Sequence, residues 1–305
     1  MKVLLVALIF VNCLSALSQG LIDHTIAIDG RERQYLTYVP AALDNSKKYP
    51  LVIVLHGGGG NAKQMIEFSG FTVLAEKEKI ILLYPNGYKK GWNDGRVAPD
   101  IKSNTENVDD VKFISTLIDQ LSSSLLIDTK RIFVTGISNG AMMSLYLAYK
   151  IPEKIRAIAP VSGSIPENIS ASYQLSVPVS LLVINGTADG LVPYMGGPVL
   201  SKRAHRGSVI STQEMINLWK TFAKKPSEAY PINIENKDPN DGCTADRFVY
   251  SSEKEINIEL IRVNNGGHTW PGGKQYLPKM IVGKVCRDFK AEEVIWNFFD
   301  RQTAR

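Results

Sequence analysis

The sequence predicts an α/β fold in which a mostly parallel central sheet carries helices on both faces. Three observations predict it. Leu51-Val52-Ile53-Val54-Leu55 and Val179-Ser180-Leu181-Leu182-Val183-Ile184 are nearly unbroken apolar runs, the signature of strands buried on both faces. Runs of this kind alternate along the chain with segments of helical periodicity, as parallel strands joined by crossover helices require. At Gly136-Ile137-Ser138-Asn139-Gly140 a β-branched run passes directly into a helix-like one.

Taken in order, the sheet begins with a hairpin of residues 25–28 and 34–39 about the turn pair Asp29-Gly30. Further strands are expected at 51–55, 80–84, 131–135, 155–161, 179–184 and 257–263. Helices are expected at about 62–79, 107–126, 139–150, 210–223 and 291–301. Asp109 and Asp110 fall in the first turn of the second of these, where acidic side chains favour the helix dipole. There is no internal repeat, Pro- or Ser-rich linker or low-complexity tract, so residues 19–305 read as one domain.

Residues 1–18 read as a signal peptide. Lys2 supplies the positive start, residues 3–10 the apolar stretch, and Ala16-Leu17-Ser18 the small residues before a cut at Gln19. The apolar stretch is too short to span a bilayer. Cys13 raises lipid anchoring as an alternative, but Asn12 stands where a small residue is needed. The expectation is a secreted protein, extracellular or periplasmic, monomeric and without stable membrane association.

The glycines around Ser138 suit a sharp strand-to-helix turn, where a side chain would meet neighbouring backbone. A serine hydroxyl becomes a useful nucleophile only when a base takes its proton and a carboxylate orients that base. Of four histidines, His205 and His268 follow Ser138. His205 lies in a basic, surface-like stretch with Lys202, Arg203 and Arg206. His268 lies in a glycine-rich loop directly after the strand at 257–263, where a mobile imidazole belongs. Between them Asp189 tips a loop after the strand at 179–184, and it is the expected acid. Its rival Asp241 sits in a polar turn that no strand delivers. The strand at 51–55 opens into His56-Gly57-Gly58-Gly59-Gly60, whose unobstructed amides suit an oxyanion loop, with the Asn139 amide as second donor. A phosphate cradle lacks the following Lys-Ser/Thr.

These segments, with Gly91-Trp92-Asn93, Val108-Asp109-Asp110-Val111, Gly186-Thr187-Ala188-Asp189, Val192-Pro193-Tyr194 and Gly267-His268-Thr269-Trp270-Pro271-Gly272-Gly273, resemble a family of secreted α/β-hydrolase esterases. That family groups polyhydroxybutyrate depolymerase-like esterases with the feruloyl and acetylxylan esterases of carbohydrate esterase family 1. The resemblance implies Ser138 as nucleophile, Asp189 as acid, His268 as base, and Gly58 and Asn139 as oxyanion donors. Ala141 departs from the glycine that such esterases often carry, and alanine is the better helix former.

Trp92 and Trp270 are candidate aromatic walls of the substrate pocket, with packing beneath a loop as the alternative. Without the signal peptide, Cys243 and Cys286 are an even pair in an oxidising compartment, so a disulfide is expected, and two unpaired buried thiols are the alternative. A bridge there would close a loop of about 42 residues, stabilising by about 4 kcal/mol if unstrained. The net charge of +5 is mild, and the basic pairs are scattered without interleaved aromatics, which argues against a nucleic-acid partner. No metal-ligand spacing is present, and neither a metal nor another cofactor is expected.

The expected activity is hydrolysis of feruloyl or acetyl esters of plant polysaccharide through an acyl-enzyme. A poly(3-hydroxybutyrate) or oligomer depolymerase is the alternative; a solid polyester is helped by a separate surface-binding module, which is not read in this sequence. A prolyl-oligopeptidase-type peptidase shares the triad order but usually carries a large N-terminal gating domain. A catalytically dead binding protein would show a damaged triad.

Overall fold

The computed structural model describes residues 20–201, 204–223, 228–250 and 256–302. The expected signal peptide with Cys13 lies outside the described residues, and so does the His205 side chain.

Strands β1 (Gly20–Ile28) and β2 (Arg31–Val39) form the leading hairpin. Both turn residues, Asp29 and Gly30, have positive φ (50° and 74°), the geometry that matches strand twist across a two-residue turn. The chain continues through β3 (Tyr49–Leu55), α1 (Ala62–Ser69), α2 (Phe71–Glu78), β4 (Ile81–Pro85), α3 (Lys102–Thr105) and α4 (Asp110–Ser124). There follow β5 (Ile127–Ile137), α5 (Asn139–Lys150), β6 (Ala157–Val161), α6 (Glu167–Ser170), β7 (Ser180–Gly186), β8 (Gly197–Ser201) and β9 (Ala204–Val209). The last elements are α7 (Thr212–Phe222), β10 (Ile232–Ile234), β11 (Thr244–Tyr250), β12 (Ile258–Asn264), α8 (Lys279–Val282) and α9 (Ala291–Asp300).

Ten strands make one sheet in the order β1-β2-β4-β3-β5-β6-β7-β12-β11-β10. The six from β4 to β12 run parallel, and antiparallel strands flank them on both sides. Successive side chains of β3 alternate between two cores. Leu51, Ile53 and Leu55 pack with Phe113 and Leu117 of α4, Met143 of α5 and Trp219 of α7. Val52 and Val54 pack on the other face with Met65 of α1, Phe71 of α2 and Phe299 of α9. This double burial explains why the sequence there shows no polar alternation.

Three features depart from the sequence reading. The helix expected at 62–79 is two helices, because Gly70 adopts the left-handed conformation (φ 72°) that closes α1. The β8–β9 hairpin and the antiparallel pair β10 and β11 were not expected. β11 is bound to β12 partly by charge: Arg247 pairs with Glu259 at 2.7 Å and Arg262 with Asp246 at 2.8 Å. Such strands draw their identity from their partner and leave little apolar periodicity to read.

The third departure is a correction. Cys243 and Cys286 are free and buried, so the expected disulfide is absent. Burial and the nearby Asp241 and Asp288 carboxylates push the thiols up, to about 11 for Cys243 and about 12 for Cys286. Thiol–disulfide exchange proceeds through the thiolate, which this environment disfavours.

Candidate active site

Ser138 stands between β5 and α5 with φ 59° and ψ −121°, a conformation that a non-glycine residue seldom adopts. The packing around it forces this. A Cβ on Gly136 would lie 2.7 Å from Leu55 O, and one on Gly140 would lie 2.5 Å from the same atom. Strand, elbow and neighbouring strand therefore touch backbone to backbone, and only glycine fits on either side of the serine. The Ser138 amide donates to Val161 O at 3.0 Å, and Ser138 O accepts the first helical bond from Met142 N at 2.9 Å. Ser138 is half-buried, whereas Ile137 and Asn139 are buried.

Asp189 and His268 are brought together across 79 residues of sequence. His268 Nδ1 bonds Asp189 Oδ2 at 2.7 Å, and only 3 % of His268 and 7 % of Asp189 remain exposed. The other carboxylate oxygen accepts from the amides of Leu191 and Val192, both at 2.8 Å, which fixes the carboxylate's direction. The His268 backbone is held at both ends: its amide donates to Val282 O at 2.6 Å, and its carbonyl accepts from Tyr276 Oη at 3.0 Å. β5, β6, β7 and β12 are successive neighbours in the sheet, so Ser138, Asp189 and His268 leave the same edge of it. Ser162, just after β6, ties the elbow's neighbour to the histidine loop through Thr269 O at 3.3 Å. Among the described residues no hydrogen bond joins Ser138 Oγ to His268. Such contacts are commonly long without a substrate.

The rival Asp241 is placed elsewhere. Its two oxygens accept from Cys243 N and Arg287 N, both at 2.6 Å, and it organises a loop far in sequence from the elbow.

The glycine loop after β3 lies against the elbow. A Cβ on Gly57 would be 3.5 Å from Ser138 Cβ, and one on Gly58 would be 3.7 Å from Asn139 Cβ. The Gly59 amide donates to Lys90 O at 2.7 Å and the Gly60 amide to Gly57 O at 3.0 Å. The Gly58 and Asn139 amides donate to no acceptor among the described residues. His56 holds the loop's shape: Nδ1–H donates to Gly57 O at 2.7 Å, and Nε2 accepts from Gly87 N at 2.9 Å. With both ring nitrogens engaged and the ring buried, its pKa is pushed down to about 4 by loss of solvation. His56 is a neutral brace.

Both tryptophans are corrected. Trp92 and Trp270 are fully buried and show no face to a substrate. Trp92 Nε1 donates to His56 O at 2.8 Å, with its ring 4.9 Å from the imidazole. Trp270 packs against Phe68 and Phe71, and its Nε1 reaches Glu292 Oε2 at 3.4 Å. Each closes the underside of a loop, the alternative open to both in the sequence.

The side chain of Asn139 has a task that the sequence did not disclose. Its Oδ1 accepts from Trp92 N at 2.8 Å, while Nδ2 donates to Trp92 O at 3.1 Å and to Asp94 Oδ2 at 2.6 Å. Asp94 is in turn paired with buried Arg96 at 2.8 Å. A second buried pair, Arg33–Asp110 at 2.6 Å, receives Asn93 N on Asp110 Oδ2 at 2.7 Å. The 86–110 segment is thus pinned to the elbow by buried charge.

Asp241, Cys286 and Asp288 have potential metal-ligand atoms within 4.8 Å of one another. Their carboxylates already accept from backbone amides, Asp288 Oδ1 from Lys237 N at 2.9 Å among them. Among the described residues no helix is long and apolar enough to cross a membrane.

The sequence profile of the phospholipase/carboxylesterase family matches residues 41–216, more than half of the chain. The chain belongs to this family. The carboxylesterase is similar to NocK of Nocardia uniformis subsp. tsuyamanensis, named as an esterase, with 28% identity over 285 residues, 90% of this chain and 80% of that protein. It is similar to feruloyl esterase D of Neurospora crassa, with 27% identity over 195 residues, 60% of this chain and 62% of that one. Among solved structures, an acetyl xylan esterase from Aspergillus awamori shares the fold, with a TM-score of 0.55 at 16% identity over 81% of this chain and 94% of that one. The carboxylesterase is a serine carboxylic-ester hydrolase with the α/β-hydrolase fold.

Proposed function

We propose that this carboxylesterase acts through an acyl-enzyme in which Ser138 is the nucleophile, His268 the base and Asp189 its orienting acid, and that it is a secreted enzyme. The observation that carries the reading is the buried Asp189–His268 bond at 2.7 Å. It commits Nδ1 to the carboxylate and leaves Nε2 as the basic atom. His268 takes the Ser138 proton as Oγ attacks the ester carbonyl. The oxyanion rests on the Gly58 and Asn139 amides, which donate to no acceptor among the described residues, and each such donor stabilises the transition state by about 3–4 kcal/mol. The imidazolium then protonates the departing alcohol, and water repeats the cycle on the acyl-enzyme to release the acid.

The proposed substrates are feruloyl or acetyl esters of plant polysaccharide, a reading supported by the similarity to feruloyl esterase D. The alternative is oligomers of 3-hydroxybutyrate. Ser138→Ala and His268→Ala should each lower kcat by roughly 10⁴-fold with the fold retained. A fluorophosphonate probe should label Ser138 alone; retention of more than a tenth of the activity by Ser138→Ala would remove it as nucleophile. Methyl ferulate, acetylated xylan and hydroxybutyrate oligomers compared at equal enzyme decide the substrate. A tenfold higher kcat/KM on the oligomers would transfer the assignment to the alternative.

A further inference from the structure

Arg206 sits beside the glycine loop, and among the described residues its guanidinium has no hydrogen-bond or ion-pair partner. It lies on β9, and a Cβ placed on Gly58 of the oxyanion loop would be 3.7 Å from its Nη1. Its Nε is buried and has no hydrogen-bond partner. Among the described residues its guanidinium meets no carboxylate. The acids of the site are already committed: Asp94 holds Arg96 and Asn139, and Asp189 holds His268. Arginine presents a planar fork of donors that matches a carboxylate, and a donor withdrawn from water without an acceptor is destabilising.

The strand that carries Arg206 is seated firmly. Arg206 O accepts from Arg96 Nη1 at 3.1 Å. The next residue, Gly207, has φ 75°, and a Cβ there would lie 3.0 Å from Val97 O, so the two loops meet at backbone distance. Val209 packs on Met142 of the elbow helix together with Val192 and Val199. The guanidinium is therefore held over the glycine loop, and among the described residues nothing else uses its charge. A net charge of +5 adds a field that draws anions toward the molecule.

We propose that Arg206 binds a carboxylate on the substrate, so that the site prefers esters carrying a free carboxylate near the scissile bond over neutral esters. This rests on the ester-hydrolase reading above and narrows it to a substrate class. The carboxylate belongs either to the acyl half, as in a monoester of a diacid, or to the alcohol half, as in an acylated hydroxy acid or uronic acid.

Two matched pairs test it. Monoethyl glutarate against ethyl pentanoate places the charge on the acyl side, read by ethanol release. 3-Acetoxybutyrate against its methyl ester places it on the alcohol side, read by acetate release. Wild type should favour the anionic member of at least one pair by tenfold or more in kcat/KM. Arg206→Gln should lose about 10- to 100-fold on that substrate and less than threefold on its neutral partner, with Arg206→Lys intermediate because it keeps the charge but not the fork. Preference for the neutral ester in both pairs, or an equal loss on both members in Arg206→Gln, overturns the proposal. Calorimetric binding of glutarate and 3-hydroxybutyrate reads the same site without turnover. The tighter of the two should weaken at least tenfold in Arg206→Gln, and an unchanged Kd for both overturns it. Absence of all ester hydrolysis by wild type would instead refute the reaction.

Discussion

Asn139 shows how much one side chain beside Ser138 can hold. Its backbone amide faces the glycine loop, while its carboxamide grips both backbone groups of Trp92 and one oxygen of Asp94. Asn139→Ala keeps the amide but leaves the buried Trp92 N and O without their partner and Asp94 Oδ2 with Arg96 alone. The expected cost is about 2–3 kcal/mol of stability by urea denaturation. A fall in kcat of about tenfold or more should accompany it, as the 86–110 segment loosens from the elbow. An activity loss without any stability loss would contradict this account. At this scale the sequence marked the candidate residues whose proposed role depends on local context. Ser138, Asp189 and His268 each follow a strand-like run, and Gly136 and Gly140 mark the tight turn. The placements of Asn139, Trp92 and Arg206 depend on partners 36 to 110 residues away, and Trp270 packs on Phe68 and Phe71 from the far end of the chain, which no local pattern encodes.

Among the elements, the parallel strands were legible because burial on both faces leaves a run of apolar residues. The strands at the periphery were not. β8, β9, β10 and β11 are short or mixed in polarity, and hydrogen bonding to a neighbour defines them more than their own composition. The split between α1 and α2 turns on Gly70, where a Cβ would come within 2.6 Å of Glu292 Oε1 on α9, a contact invisible from residues 62–79 alone. The segment entering β11 carries a prediction. With both thiols free, denatured and unreduced protein should show Cys243 and Cys286 reacting with a thiol reagent. In the native state both should react slowly near pH 8, since their pKa values of about 11 and about 12 leave little thiolate. Peptide mapping that finds the two joined in unreduced protein would reject this state.

For the whole molecule, His56 links solvent acidity to the stability of the fold. Its folded pKa of about 4 lies below its ordinary value of 6.5, so the unfolded chain binds a proton more readily. The stabilisation from keeping this ring neutral is complete above about pH 6.5 and declines as pH falls toward 4, by up to about 3 kcal/mol. Urea denaturation at pH 7.5 and pH 4.5 should show this decline, and replacing His56 by Asn should flatten it while lowering stability at both. A wild-type midpoint that rises on acidification, with the variant following it, would assign the pH dependence to other groups. The protein's two cores are joined through the central sheet, so this proton-linked loss at the glycine loop should be felt across the fold.

The backbone of Ser138 has a consequence for how such a molecule can change. A side chain held at φ 59° and ψ −121° is uncomfortable, and glycine there would relieve the discomfort while removing the oxygen proposed to attack the ester. Robustness and reactivity therefore pull in opposite directions at this one position. A population of variants screened by heat alone would drift toward well-folded, inert descendants, and only a screen that also demands turnover would keep the serine in place.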